Sequence, residues 1–394
     1  MYPKIYLAID ICFASKRWTE PGEWLSIAGE LGLRYVEASA DTECDFLYTP
    51  PNYRAEWAKK VRAASGETGV NVKQLYSGHG TYATLGLCHP DRRIRRHMLE
   101  NWLYPMCDLA GELGANIGFF CHALPQETLQ SPSAYRRAMR ELYDALAQVA
   151  DYGGSRGIGT AGVELMYSPH QPPWTLEGAA ELLREVNARS RHPFYVTVDV
   201  GHQVGQSRFL RPPTEQLREA VAVCRRDSVA PLPWLGPDSA LNAFWKAVDD
   251  PAREEKHLAD VAAAQDDCSY LFATEQDSDT TAWLEQFGCY SPIIHLQQTD
   301  GFSSRHLPFT EEQNRGGRVR GEDVLRALRA SYEREQEPGM PPRVDDIYLT
   351  LELFSGTADR PDEILTRLRE SVAYWRQFVP EDGLSLDRLT KIEE

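Results

Sequence analysis

Residues 95–121 read RRHMLENWLYPMCDLAGELGANIGFFC, and this stretch contains one complete step from a helix to a strand. Helical spacing ends in GELG, and NIGFFC follows as a short apolar run typical of a buried strand. The glycine between them predicts a left-handed helix cap, because glycine adopts positive φ without a steric penalty. The segments ELGLRYVEA and ETGVNVKQ repeat the pattern, so the sequence predicts strands that alternate with helices.

Eight such strands can be read along the chain, each followed by a segment with helical spacing. The predicted strands are Ile5–Asp10, Tyr35–Ser39, Val70–Tyr76, Asn116–Cys121, Gly162–Met166, Phe194–Asp199, Pro292–Gln297 and Ile347–Leu353. Eight alternating pairs favour an α/β fold of the (β/α)8 TIM-barrel type. An open doubly wound sheet is the structural alternative, but it usually has fewer repeats, and no GxGxxG follows the first strand.

The predicted sixth strand-to-helix unit is much longer than the others. We expect one barrel domain over residues 1–394, with an insertion at about 205–288 on the catalytic rim. The insertion could be a lid, an oligomer contact or a surface segment without a catalytic role. We expect the protein to form a homo-oligomer.

Composition limits the classes of function. The 394 residues are 42% hydrophobic and 25% charged, which is typical of a soluble globular protein. The sequence contains no run of about 18 apolar residues, so it predicts no membrane-spanning helix. The eight cysteines are scattered and the N-terminus lacks signal-peptide features, so we expect reduced thiols and a cytoplasmic protein. A net charge of −16 disfavours nucleic acid as a partner.

Four of the predicted strands carry a metal-binding side chain in an apolar context: Glu164, Asp199, His295 and Glu352. Catalytic groups in (β/α)8 barrels lie at the C-terminal ends of the strands, so we expect these four to meet. Three converging carboxylates would repel one another without a cation. The set predicts one divalent ion, Mn²⁺, Mg²⁺ or Co²⁺, with Zn²⁺ less natural for this ligand set.

Four further histidines occur near strand ends or in the loops that follow them. His202 could complete a second metal site or hold a substrate oxygen, and His79, His122 and His306 are candidate substrate-binding residues. Each of them could also be a structural histidine.

The motifs ELMYSPHQPPWT, DVGHQVGQSRF and LQQTDGFSSRHLPFTEEQNRGG, together with the four residues above, resemble the xylose-isomerase-like barrel family. Within it, the pattern is similar to ketose 3-epimerases, and most similar to tetrulose-phosphate epimerases. The resemblance implies that Glu164, Asp199, His295 and Glu352 bind the ion, that His202 binds a substrate oxygen, and that Arg305 binds substrate. It implies C3 epimerisation of a ketose such as erythrulose phosphate.

The chemistry of that reaction points to an acid–base pair. Removing a proton beside a ketone leaves an enediolate, and inverting the carbon needs a base on one face and an acid on the other. Glu164 and Glu352 are the expected acid–base pair. The expected binding partner is a small-molecule substrate, a sugar or a sugar phosphate. An aldose–ketose isomerase would need the same enediolate.

Two other enzyme classes remain open on this scaffold. An endonuclease-IV-like DNA-repair nuclease would use a similar set of histidines and carboxylates, but Ser304 stands where its pattern needs a carboxylate. A sugar-acid lyase or oxidoisomerase is the second. Whether the substrate carries phosphate is also open, because Arg305, Arg315, Arg318 and Arg320 could form either an anion site or a solvated loop.

Overall fold

The computed structural model describes residues 2–39, 44–78, 80, 82, 84–227 and 229–390. Within these ranges, eight parallel strands close into a barrel, because β1 pairs with β8 on one side and with β2 on the other. The barrel strands are β1 Lys4–Asp10, β2 Tyr35–Ser39, β3 Asn71–Ser77, β4 Asn116–Phe119, β5 Ala161–Glu164, β6 Phe194–Asp199, β7 Ile293–Leu296 and β8 Asp346–Leu351. The predicted (β/α)8 barrel is therefore confirmed.

Helices surround the barrel and connect its strands. Before β6 they are α1 Pro21–Glu30, α2 Pro51–Thr68, α3 Arg92–Met98, α4 Tyr104–Leu113, α5 Gln126–Leu129, α6 Pro132–Ser155 and α7 Leu176–Arg189. After β6 they are α8 Thr214–Cys224, α9 Asp238–Asp249, α10 Glu254–Asp267, α11 Thr280–Phe287, α12 Glu311–Gly316, α13 Gly321–Glu333, α14 Pro361–Arg376 and α15 Leu386–Leu389. Gly69 and Gly114 end α2 and α4 with φ of 72° and 66°, which is the predicted left-handed cap.

Aromatic side chains fill the barrel interior towards the N-terminal ends of its strands. The rings of Tyr6 and Tyr348 stack with centroids 4.8 Å apart, and Tyr35 meets Tyr6 edge-on at 5.2 Å. Alternate residues of a barrel strand face the interior, so Tyr6 and Asp10 of β1 share that side. The interior is therefore closed by packed rings below and lined by ionisable side chains above.

A short strand after α14 joins the barrel sheet. Leu384–Ser385 forms a ninth strand, β9, which pairs antiparallel with Lys4 and Ile5 of β1. Because this pairing lies at the start of β1, the segment covers the end of the barrel opposite the predicted active site.

The segment between β6 and β7 contains a small helical unit with its own core. Helices α8, α9 and α10 bury a separate apolar cluster that includes Val221, Phe244 and Val261. The next helix, α11, packs instead against β6 and α13, and it buries Trp283 and Phe287. Helix α11 thus occupies the place of the barrel's sixth helix, although it lies within the predicted insertion at about 205–288.

Two observations concern the chain as a whole. All eight cysteines are buried thiols. In the described ranges, the helices are too short or too polar to cross a lipid bilayer.

We expect Phe287→Ala to lower the free energy of unfolding by about 3–5 kcal/mol, because it leaves a cavity between α11 and the barrel. Urea denaturation should show a lower midpoint with an unchanged slope. Phe302→Ala is the control, since its side chain is 77% exposed and its removal should change stability by about 0.5 kcal/mol or less. Equal effects of the two substitutions would contradict this packing role.

Candidate active site at the C-terminal end of the barrel

The four residues expected to bind an ion meet at the C-terminal end of the barrel. Glu164, Asp199, His295 and Glu352 are buried, and each offers one ligand atom within 4.8 Å of the others. The imidazole is central to the group, because its Nδ1 lies 3.0 Å from Glu164 Oε1 and 3.2 Å from Glu352 Oε2. Register explains part of the convergence, since Asp199 and His295 are paired neighbours on β6 and β7.

Glu164 is held by groups from two other strands. The Tyr76 hydroxyl, from β3, donates a hydrogen bond to Glu164 Oε2, while Glu164 Oε1 faces His295. The Tyr76 ring also meets the His295 ring edge-on, with centroids 5.1 Å apart. These contacts restrict the orientation of both the carboxylate and the imidazole.

Asp199 is oriented by backbone and side-chain donors. Its Oδ1 accepts from the backbone N–H of Gly201 at 2.6 Å and of His202 at 3.1 Å, and from Gln297 Nε2 at 2.8 Å. Position 201 must be small, because a Cβ there would lie 2.4 Å from the Gln297 side chain. The glycine of the DVGH motif therefore lets Gln297 reach the carboxylate.

Charge is distributed unevenly over the cluster. Burial by itself would lower the pKa of His295, but Glu352, Glu37 and Glu164 together raise it well above its usual value. Burial would raise the pKa of Glu352, yet His295 and His306 hold it well below its usual value. Burial raises the pKa of Asp199, against the influence of His202 and His306. The neighbouring imidazoles thus favour the ionised form of Glu352, while burial favours the protonated form of Asp199.

The donor set fits a divalent cation. Three carboxylates and one imidazole are ligand types that Mn²⁺, Mg²⁺ and Co²⁺ accept, and the four ligand atoms are close enough to surround one ion. An ion there would supply the positive charge that the buried carboxylates require, in place of a proton on the imidazole.

His202 and His306 lie on the cavity side of this cluster. His202 Nδ1 is 2.9 Å from the Leu165 carbonyl oxygen, and His306 Nδ1 is 3.3 Å from Glu352 Oε2. His306 has a positive φ of 48°, and its ring stacks on Phe354 at 3.9 Å. With Asp199, these two histidines form a second group whose ligand atoms lie within 4.8 Å of one another.

The remaining predicted histidines are placed differently. His122 is fully buried, and its Nε2 lies 2.6 Å from the Pro172 carbonyl oxygen, outside both groups of candidate ligands. Burial lowers the pKa of His122 to about 4, which keeps this imidazole neutral near pH 7. His79 lies outside the described residues.

Sequence reasoning missed three residues of the site: Glu37, Tyr76 and Gln297. Glu37 lies on β2, is 1% exposed, and places Oε1 3.1 Å from His295 Nε2. The signal was present, because YVEAS carries a charge within an apolar strand, as the β5 and β8 segments do. Gln297 could have been found from its position two residues after His295, on the same side of the chain.

A cavity of about 480 Å³ opens above the carboxylates. Glu164, Glu352 and His202 lie among its inner lining residues, and Tyr82, Phe302 and Phe354 are partly exposed aromatic residues that also line it. This volume is in the range of small-molecule sites.

Two arginines line the same cavity. Arg305 does so as expected, with 57% of its side chain exposed and Nη1 3.6 Å from Asp300 Oδ2. The second is Arg208, on the 3₁₀ helix His202–Phe209, and it is not among the predicted substrate-binding residues. The residues Arg315, Arg318 and Arg320 are absent from this lining, so the four arginines after β7 do not form one site there.

Comparison with known proteins places the chain in a family. Residues 25–333 match the model of the xylose isomerase-like TIM barrel, and the chain belongs to that family. It is 22% identical over 371 residues to D-erythrulose 1-phosphate 3-epimerase from Brucella abortus strain 2308, covering 92% of this chain and 93% of that protein.

Solved structures show the same fold. A candidate xylose isomerase from Rhodospirillum rubrum superposes with a TM-score of 0.68 at 18% identity, covering 95% of this chain and 99% of that one. An L-ribulose 3-epimerase superposes with a TM-score of 0.53 at 14% identity, covering 98% and 95% of the two chains.

We expect the protein stripped with a chelator to bind one Mn²⁺ per chain, as measured by equilibrium dialysis with elemental analysis. Binding should weaken as the pH falls, because the ion must displace a proton from His295. Asp199→Asn should bind Mn²⁺ more weakly than the wild type at the same pH, since the substitution removes one negative charge from the ligand set. An unchanged affinity in this variant, with its fold verified by circular dichroism, would contradict the assignment.

Proposed function

We propose that the protein is a divalent-metal-dependent ketose 3-epimerase, with Glu164, Asp199, His295 and Glu352 as ligands of one ion. The observation that carries this proposal is the pair of buried carboxylates, Glu164 and Glu352, at the inner end of one cavity. They come from β5 and from the residue after β8, and both contact the same nitrogen of His295.

The two carboxylates supply the base and the acid that an epimerisation needs. One removes the C3 proton, and the other delivers a proton to the opposite face of the carbon. A carboxylate has two oxygens, so one oxygen can face the ion while the other meets the substrate. When bound, the ion supplies positive charge opposite the enediolate oxygens.

His202 is suited to position the sugar. Its Nδ1 faces the Leu165 carbonyl oxygen, which accepts a hydrogen bond, so Nδ1 carries a proton and Nε2 is left for a substrate oxygen. The Tyr167 ring meets the His202 ring edge-on at 5.1 Å and limits its rotation. His306, beside Glu352, is the second candidate for such a contact.

We further propose that the substrate is a short phosphorylated ketose such as erythrulose phosphate. The Brucella relative acts on a sugar phosphate according to its name, and it matches this chain over nearly its whole length. The supporting feature of this chain is the pair Arg208 and Arg305 in the cavity lining. Among the described residues, Arg208 forms none of the ion pairs, so its guanidinium is available for an anion.

Arg208 is held by the segment that precedes the inserted helices. The next residue, Phe209, packs edge-on against Trp174 at 5.5 Å and against Trp234 at 5.1 Å. Trp234 in turn donates a hydrogen bond from Nε1 to the Leu271 carbonyl oxygen. The insertion therefore braces the backbone that carries the arginine.

An aldose–ketose isomerase is the competing hypothesis, because it would use the same carboxylates and ion. A nuclease is less well supported, because His122 contacts a backbone carbonyl rather than either group of candidate ligands. Product analysis separates these classes, and it would also detect carbon–carbon cleavage by a lyase.

We expect Glu164→Gln and Glu352→Gln each to lower epimerisation of erythrulose phosphate by about 10²- to 10⁴-fold, since each removes one proton-transfer group. Glu311→Gln is the matched control, because Glu311 is the first residue of α12 and its side chain is 89% exposed. Incubation in D₂O gives a sharper result. Each variant should still exchange the C3 hydrogen of one epimer, the one deprotonated by the glutamate that remains. The epimer that exchanges in Glu164→Gln should therefore be the one that does not exchange in Glu352→Gln.

Three outcomes would contradict the proposal. One is near-normal epimerisation by either variant. Another is deuterium at a carbon other than C3, together with an aldose product. The third is the absence of any exchange with free or phosphorylated tetruloses, pentuloses and hexuloses by the wild-type protein.

We expect Arg208→Gln to raise KM for the phosphorylated ketose by about 10- to 100-fold, because a hydrogen-bonded charge contact contributes about 1.5–3 kcal/mol. The unphosphorylated ketose should be affected much less. Arg211→Gln is the matched control, since Arg211 pairs with Asp266 at 2.6 Å and lies outside the cavity lining. Equal changes for both substrates in Arg208→Gln would contradict a phosphate contact.

A further inference from the structure

The two ring nitrogens of His295 face different surroundings. Nδ1 is directed at Glu164 and Glu352, which belong to the proposed ion site. Nε2 is directed at Glu37, with Oε1 at 3.1 Å. Glu37 lies on β2, and it does not belong to either group of candidate ligands.

A neutral imidazole carries one proton, so one nitrogen donates a hydrogen bond while the other offers a lone pair. A metal ion needs the lone pair, and it must therefore be on Nδ1 if the ion is to lie among the three carboxylates. The carboxylate of Glu37 accepts hydrogen bonds, and it favours the tautomer with the proton on Nε2. This is the tautomer that leaves Nδ1 for an ion.

We propose that Glu37 is a positioning residue that fixes the tautomer and the ring orientation of His295 for metal binding. This role rests on the metal centre proposed above. Glu37 is suited to it because its carboxylate is almost fully buried, so water competes little for the hydrogen bond. The edge-on contact of Tyr76 with the same ring restricts the imidazole from a second direction.

Position 37 is also fixed by the sheet. Glu37 pairs in register with Asp10 of β1 and with Gln74 of β3, so its place in the interior follows from barrel closure. Asp10 has a different role, since its Oδ1 accepts from the backbone N–H of Cys12 at 2.6 Å and caps the short helix after β1. Among these paired interior residues, Glu37 is the one whose carboxylate contacts His295.

The test is a titration of metal-free protein with Mn²⁺, in which free Mn²⁺ is measured by electron paramagnetic resonance. We expect Glu37→Leu to weaken Mn²⁺ binding by about 10- to 100-fold, because it removes the hydrogen-bond acceptor of a metal-binding histidine. The Mn²⁺ affinity of Glu37→Gln should lie between that of Glu37→Leu and that of the wild type, because the amide oxygen still accepts a hydrogen bond but carries no full charge. Saturating Mn²⁺ should restore turnover of Glu37→Leu, with KM for the sugar unchanged.

Gln74→Leu is the matched control. It makes the same change of shape at a buried interior position in register with Glu37. In the described part of the structure, the Gln74 amide forms no hydrogen bond with His295. Thermal denaturation of the metal-free proteins measures the effect of each substitution on packing alone.

The proposal is overturned if Glu37→Leu binds Mn²⁺ within twofold of the wild type, or if Gln74→Leu weakens binding as much as Glu37→Leu does. A wild-type protein that binds no Mn²⁺, Mg²⁺ or Co²⁺ would instead refute the metal centre itself, and the role of Glu37 with it. The wild-type titration therefore distinguishes the two failures.

Discussion

The imidazole of His295 is the point at which the buried charges of this protein meet. Glu164, Glu352 and Glu37 all lie within 3.2 Å of its two nitrogens. Buried carboxylates are costly unless a positive charge or hydrogen-bond donors compensate them. The arrangement is therefore stable only if the imidazole, or an ion beside it, balances the negative charge.

The barrel supplies the rigidity that such a cluster needs. Its charged groups come from strands β2, β5, β6 and β7 and from the residue after β8, and each strand is paired on both sides. Side chains on paired strands have few alternative positions, which preorganises a site better than a flexible loop does. Tyr76 and Gln297 add hydrogen bonds that fix Glu164 and Asp199, so the inner wall of the cavity is well defined.

The outer wall of the cavity is built on another principle. It comes from the segments that follow the strands, with Arg208 and Phe209 of the 3₁₀ helix on one side and Phe302, Arg305 and His306 on the other. Loops vary more than the strands they follow, so the outer wall is where members of one barrel family can differ in substrate. In this chain the helical unit of α8, α9 and α10 has its own core, and Trp234 links the segment around it to the wall at Phe209.

The strand order, the glycine caps and the convergence of the four candidate metal ligands could be predicted because the patterns behind them are local. Glu164, Asp199, His295 and Glu352 each stand out as a polar residue within an apolar strand, and the repeat of helix and strand fixes which end of the barrel they share. The sequence does not separate the barrel helix α11 from the predicted insertion, because its eight residues follow a long segment without a strand signal.

Other features depended on the tertiary structure. Local patterns do not specify which histidine reaches the carboxylate cluster. His306 reaches it from a residue with positive φ, whereas His122 contacts the Pro172 carbonyl oxygen instead. The proposed role of Glu37 depends on barrel closure, since β2 and β7 are far apart in the chain. That of Arg208 depends on the path of the segment after β6. The strands and the charged residues at their ends could be predicted from the chain, because periodicity is local. Which side chains from separate segments meet depends on strand register and loop geometry, and these are set when the barrel closes.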